Sequence, residues 1–398
     1  MASVLCRIFT NKFFALPIFF LVMYLVFTLT FNSAGAFSRA VLDRAIGDLT
    51  SLLDLALTNA NASPVLRRLI CDGICNGVGS VLSFLPTILI LFTCLFLLEE
   101  SGYMSCVASF MNSVMKRLGL PGQAIVPLLI GFGCSVPAIM ATRTLQNKRE
   151  RYMTIRLIPF MSCSAKLPIY SIFVSVFFPH HEATAMTGIY FSGIVIALLY
   201  AIVLNNTLYR GRKVGALIPA PVCKAPDFFI VLVKVKNSAL EFLKKTFTVI
   251  FLASILIWFL QSFDLNLRLA DSVDSSILAA LGRCASPIFT PLGFDDWRAA
   301  AAIIAGLSAK EAVVSTLSVM SSAALGSSLP AMLCQIFSPL SAFSFLIFCL
   351  LYIPCIATLA IIRRETGGWR YALLMALSQI ALAWITSFAL FNIGSFII

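Results

Sequence analysis

Gly131-Phe132-Gly133-Cys134-Ser135-Val136-Pro137-Ala138 interrupts one apolar run of this chain, and Leu351-Tyr352-Ile353-Pro354-Cys355-Ile356-Ala357-Thr358 interrupts another. Each break pairs a helix-disrupting residue with a cysteine. At membrane depth a broken helix exposes backbone groups that lipid cannot satisfy, so such a break must face protein, water or a ligand. A pair of them points to a transport site. The thiol beside each narrows the ligand, because soft transition metals accept sulfur whereas sugars and most organic anions do not.

The surrounding sequence is that of a membrane protein. Of its 398 residues 60% are hydrophobic and 12% charged, with a mean hydropathy of +0.97, against about 25% charged in soluble domains. Runs near the roughly 20 residues of a spanning helix lie at 14–36, 81–98, 153–178, 184–206, 246–264, 340–362 and 371–393. The first is long and aromatic with no cleavage-site pattern, and reads as a retained helix, not a signal peptide. The expected fold class is an all-α integral membrane protein, with about seven spanning helices plus two re-entrant broken-helix gate segments.

The net charge of +12 is placed by topology. Most Lys and Arg fall in loops on the side of a cytoplasmic N-terminus, the positive-inside pattern. The 207–245 connector is the densest, with Arg210, Arg212, Lys213, Lys224, Lys234, Lys236, Lys244 and Lys245 beside Pro219, Pro221 and Pro226. A short amphipathic helix is expected from Phe228 to Lys245. The basic loops suit anionic membrane lipid, and nucleic acid is not an expected partner. The twelve cysteines sit mostly within apolar runs and form no disulfide framework; Cys71 and Cys75, four apart on one helix face, read as small semi-buried residues.

One plan is written twice in hydropathy and punctuation. Residues 1–80 hold the first helix and a polar outward loop. The first gate repeat, 81–206, has helix 81–98, a loop ending Leu118-Gly119-Leu120-Pro121-Gly122, broken segment 124–142, and helices 153–178 and 184–206. After the 207–245 connector, the second, 246–398, has helix 246–264, a loop with Pro291-Leu292-Gly293, segment 299–320 interrupted at Gly306 and Lys310-Glu311, and helices 340–362 and 371–393. With re-entrant short segments each copy crosses three times, which inverts one against the other and puts substrate near the midplane.

Cys134 and Cys355 are the first candidate ligands, with Cys163 and Ser135 assisting. Gly131 and Gly133 are expected to supply unusual backbone conformations and close approach, Pro137 to open a new half-helix, and Pro354 to repeat the Pro–Cys pairing as backbone of the second gate. Met161-Ser162-Cys163-Ser164-Ala165-Lys166 places polar groups in an apolar span. Intramembrane charges are costly and face a cavity or a partner, so Lys166 needs an acceptor, Glu311 being one choice, and Lys310 and Glu311 serve either structural pairs or an ion path. Glu99 and Glu100 end a span where a metal would leave, or are solvated helix-end charges; His180 and His181 face outward in a short loop. No P-loop, H-E-x-x-H, G-x-S-x-G or G-x-G-x-x-G pattern occurs, so neither enzymatic activity nor a bound nucleotide is expected.

These residues resemble the membrane region of FeoB-type ferrous iron transporters over nearly the whole chain. The likeness is carried by Asn11-Lys12 with Leu16-Pro17-Ile18-Phe19, Leu98-Glu99-Glu100-Ser101-Gly102-Tyr103-Met104, the Gly131–Leu145 stretch, Pro159-Phe160-Met161-Ser162-Cys163-Ser164-Ala165, Ala309-Lys310-Glu311, Pro339-Leu340-Ser341, Tyr352–Thr358 and Arg363-Arg364-Glu365-Thr366-Gly367. The resemblance implies Fe²⁺ as transported substrate across a bacterial inner (cytoplasmic) membrane, passing gate cysteines at Cys134 and Cys355. It implies control by a GTP-binding domain that this chain lacks, a small FeoA-like partner and a homo-oligomer. Ser135 stands where the family's first gate usually has Asn, and Asn112 where it often has Asp. Two other readings remain open: a nucleoside or other small-solute transporter of related gate fold, which predicts a solute-sized cavity without convergence of the gate cysteines, and an inactive membrane scaffold.

Overall fold

The computed structural model describes residues 15–60, 63–209, 225–244, 248–270, 272–325 and 328–397. Arg210, Arg212, Lys213, Pro219, Pro221, Lys224 and Lys245 of the connector, and Asn11-Lys12, lie outside the described residues. Among those described, the secondary structure is helical, with one isolated antiparallel bridge between Phe263 and Leu269.

The helices are α1 (Ala15–Phe27), α2 (Ala34–Asn59), α3 (Asn76–Glu100), α4 (Tyr103–Arg117), α5 (Ile125–Ile130), α6 (Ser135–Ala141), α7 (Lys148–Leu157), α8 (Leu167–Phe177) and α9 (Glu182–Asn206). They continue with α10 (Phe228–Phe242), α11 (Thr248–Ser262), α12 (Ile277–Phe289), α13 (Trp297–Ala305), α14 (Ala312–Leu325), α15 (Leu329–Ile336), α16 (Pro339–Leu351), α17 (Ile356–Thr366) and α18 (Trp369–Ile397). Among the described residues five stretches are long and apolar enough to cross a membrane, or up to seven if each of two sharply bent helix pairs counts as one span. The chain is thus an all-α multi-pass membrane protein.

The structure corrects several boundaries. The 37–80 stretch is largely helical, because Leu42, Ile46, Leu53 and Leu57 recur at helical spacing and α2 packs along α3. Gly79 is where the two approach: a Cβ there would meet Ile46 Cγ2 at 2.7 Å. The expected loop before Leu118 contains α4, turned 77° from α3 at Gly102, whose φ is +79°. The loop before Pro291 likewise contains α12, turned 106° from α13. Neither 153–178 nor 340–362 is one continuous helix; the chain unwinds at Met161–Cys163 and again at Tyr352–Cys355.

Two compact units divide the chain: 1–133, 140–155 and 200–252 in the first, and 134–139, 156–199 and 253–398 in the second. In the first, α3 supports both α2 and α10. The turn after α4 is closed by Gly119 at φ +77° and by Asn112, whose Oδ1 accepts from the Gly122 N–H at 3.2 Å. Asn112 therefore has a backbone to hold.

In the second unit α16 is the central element, with every residue from Phe345 to Leu351 buried. Phe345 stacks on Phe173 at 5.0 Å and meets Phe294 edge-on at 5.3 Å. Where water is absent, helices associate through packing and internal hydrogen bonds. α16 and α18 use both: Ser344 Oγ donates to the Ser387 carbonyl at 3.3 Å, and Ser387 Oγ returns the bond to the Ser344 carbonyl at 3.2 Å. The other face of α18 exposes Leu373, Leu374, Leu377, Ile385 and Ile393, as a lipid-facing surface should.

Candidate functional site

Four short breaks in the helices define the site: Gly131–Cys134 between α5 and α6, Met161–Cys163 after α7, Gly306–Glu311 between α13 and α14, and Tyr352–Cys355 between α16 and α17. A pattern not apparent in the sequence links them. Cys134 immediately precedes α6, Cys355 is the N-cap of α17, and Cys163 is the N-cap of the 3-10 turn Ser164–Lys166. In each case the thiol sits where an unwound backbone resumes helical form, at the position where a side chain is not enclosed by a preceding turn.

The second unit brings these groups together. Cys134 lies within electrostatic range of Cys163, Cys355 and Glu311, and Cys163 within range of Cys355, Lys166 and Lys310. All three thiols are half-buried. Ser135 is buried at the start of α6. The described residues nonetheless include no group of three or more His, Cys, Asp or Glu side chains disposed to hold a metal ion. This arrangement is a neighbourhood of ligands, not a closed cage.

Glycine's role in the first break differs from expectation. Gly131 has helical backbone angles, φ −57° and ψ −28°, and Gly133 is not among the residues of positive φ. Space is what Gly133 provides, since a Cβ there would lie 2.9 Å from Leu91 Cδ2. Pro137 falls in the first turn of α6, where its missing N–H has no intrahelical acceptor to lose. Pro354 lies in the extended turn just before the Cys355 N-cap.

The buried lysines are held by backbone oxygen. Lys166 Nζ donates to the carbonyls of Leu350 at 2.7 Å, Pro159 at 3.1 Å and Met161 at 3.5 Å. Lys310 Nζ donates to the Ile353 carbonyl at 2.6 Å and lies 3.0 Å from the centroid of the Tyr352 ring. The acceptors of Lys166 are thus carbonyls left over where helices stop, a fit of cation to helix C-terminus.

Three further site residues escaped the sequence reading. Thr358 meets Cys355 Sγ at 3.1 Å through Oγ1, an i, i+3 pair in the first turn of α17. Tyr352 supplies the ring under Lys310, and Cys349 is fully buried beside both lysines. The Cys–x–x–Thr spacing was the one usable signal; an apolar run says nothing about which way its cysteine points.

Glu99 and Glu100 stand apart, in the first unit. Lys234 of α10 reaches Glu99 at 3.2 Å and Glu100 at 3.5 Å, and Arg143 pairs with Glu241 of the same helix at 3.2 Å. Partial burial works against the Lys234 charge, yet the two carboxylates outweigh it and raise the ammonium above its ordinary range. The contact therefore contributes fully below the usual lysine pKa and is lost as pH rises through the raised value. Lys234→Met is expected to cost about 1 kcal/mol after solvent screening of its exposed arm. Thermal unfolding in detergent checks it: the deficit should be present at pH 7 and disappear once pH exceeds the raised lysine value. His180 and His181 are exposed in the turn before α9.

Comparison with known proteins gives one family and a consistent set of relatives. A family model described as "Gate: Nucleoside recognition" matches residues 81–177 and 243–369. A Fe(2+) transporter FeoB of Staphylococcus aureus (strain MSSA476) is 37% identical over 389 residues, covering 98% of this chain and 58% of that protein. A FeoB of Campylobacter jejuni is 38% identical over 392 residues, covering 95% and 63%. A Porphyromonas gingivalis protein named as a fusion of Fe(2+) transport protein A with FeoB is 34% identical over 435 residues, covering 98% and 51%. No solved structure matches the chain. The chain thus spans between 51% and 63% of the length of these relatives.

Proposed function

From the premise that the chain belongs to the Gate (nucleoside recognition) family, we propose that it is the permease part of a ferrous iron transport system. The observation that carries this reading is the neighbourhood of Cys134, Cys163, Cys355 and Glu311 at helix breaks of one unit. A nucleoside carrier has no use for thiols gathered at its breaks, and three FeoB relatives of 34–38% identity support the metal.

Fe²⁺ passes by brief coordination to Cys134 and Cys355, with Cys163 and Ser135 assisting. An open neighbourhood suits transit, because a site must bind well enough to admit an ion and weakly enough to let it go. Thiolates bind zinc and copper more tightly than ferrous iron, so discrimination rests on geometry and on which metal is supplied. The repeats 81–206 and 246–398 act as inverted gates, in a bacterial inner membrane with the N-terminus cytoplasmic. Opening is driven by a GTPase domain, on the same polypeptide or another, acting through the basic connector. A FeoA-like protein, anionic lipid and further copies of the chain are its partners.

Radiolabelled Fe²⁺ uptake into proteoliposomes under reducing conditions tests this, with and without a GTPase partner. Flux that requires partner and GTP is the expected result. No flux in either arm from folded protein rejects the proposal.

A further inference from the structure

Helix breaks leave carbonyl oxygens that a cation can coordinate, and membrane transporters use such oxygens as ion ligands. Here those oxygens are already taken. Lys166 holds carbonyls from two breaks, Pro159 and Met161 before Cys163 and Leu350 before Cys355. Lys310, itself in the Gly306–Glu311 break, holds the Ile353 carbonyl of the Tyr352–Cys355 break. The Ile356 N–H donates to the Leu307 carbonyl at 2.8 Å across the same pair of breaks. The Tyr352–Cys355 turn is thus tied on one side by Lys166 and on the other by Lys310, with Cys355 at its end. Both ammonium groups are buried, 3% exposed at each residue, and no sequence rule demands a lysine for this task when a water or a hydroxyl would do.

We propose that Lys166 and Lys310 form a latch: resident cations that occupy the backbone oxygens of two breaks, hold the cysteine turns shut, and yield those oxygens to a transported cation when the turns open. This deepens, and rests on, the transport reading. It gives the two lysines a positioning role: they act on the thiols through the backbone and are not metal ligands. It also explains why the site holds two cations where a cation must pass. A closed gate that keeps its oxygens on tethered ammonium groups pays no desolvation penalty for empty carbonyls and still repels a stray ion.

The test needs no metal. Full-length protein in detergent is treated with a small neutral methanethiosulfonate, and labelling of Cys355 and Cys163 is followed by peptide mass mapping. Lys310→Met and Lys166→Met are compared with wild type and with Lys236→Met. Loss of a neighbouring positive charge slows attack by a thiol, which reacts as thiolate, so faster labelling in the variants reports opening and not electrostatics. The expected result is labelling of Cys355 at least about tenfold faster in either variant, about 1.4 kcal/mol of latch free energy, with fully buried Cys106 unchanged and Lys236→Met like wild type. Tyr352→Leu removes the ring under Lys310 while keeping the lysine, and should give a smaller acceleration; it serves if either lysine variant unfolds. Rates unchanged in Tyr352→Leu and in every folded lysine variant overturn the latch. Iron flux measured separately on wild type judges the transport reading: its failure would remove that reading while leaving the labelling outcome as it stands.

Discussion

Cys355→Ser is expected to lower Fe²⁺ flux roughly 10- to 100-fold, the scale seen when a metal loses a group that tunes its coordination. Serine keeps the shape of the side chain and its contact with Thr358, so the loss isolates sulfur. Cys134→Ser should do the same, and the double variant should fall little further, since two groups on one ion path act as a unit and not additively. Under the solute reading neither change matters. Flux within about twofold of wild type in both single variants would remove sulfur from the mechanism while leaving the fold untouched. The Thr358 pairing adds a control: Thr358→Val deletes the hydroxyl partner but leaves the thiol, and should have a smaller effect than either serine.

Gly293→Val is expected to lower stability substantially. Gly293 lies at φ +87° in the turn that sends α12 into α13, a region costing a side-chain-bearing residue about 1–2 kcal/mol. A Cβ there would also clash with the half-buried ring of Phe391 on α18, and overpacking costs about 1–3 kcal/mol more where the ring is held in place. The sum, about 2–5 kcal/mol, is a large share of the margin of a folded domain. Thermal unfolding in detergent should show it, and Phe391→Ala in the same chain should recover only the steric part. Equal unfolding temperatures for Gly293→Val and wild type would mean the turn is not held as described.

Much of this was legible in the sequence, for reasons that differ by residue. The breaks at Gly131–Cys134 and Tyr352–Cys355 were visible because Gly and Pro punctuate an apolar run whatever the tertiary context. The helices α2, α4 and α12 were not, because polar residues along them mask a helical spacing whose apolar face meets another helix, and no hydropathy average separates that from a loop. Cys134 and Cys355 could be named, but their common place before a resuming helix could not, since it depends on where unwinding ends. Lys166 showed the opposite failure. Its need for an acceptor was plain, and a carboxylate was the natural guess, yet backbone carbonyls of Pro159, Met161 and Leu350 belong to no side chain and leave no trace in residue identity.

The reciprocal serine bonds between α16 and α18 bear on biogenesis. Each segment on its own would carry a hydroxyl into hydrocarbon without its partner carbonyl, whereas together they are satisfied. Between α16 and α18 the chain holds only the Tyr352–Cys355 break, the short helix α17 and its closing Gly367 at φ +77°, so the two helices emerge close together during synthesis. Such a pair is best released into the bilayer as a preformed helical hairpin, with its hydrogen bonds made before either helix meets lipid alone.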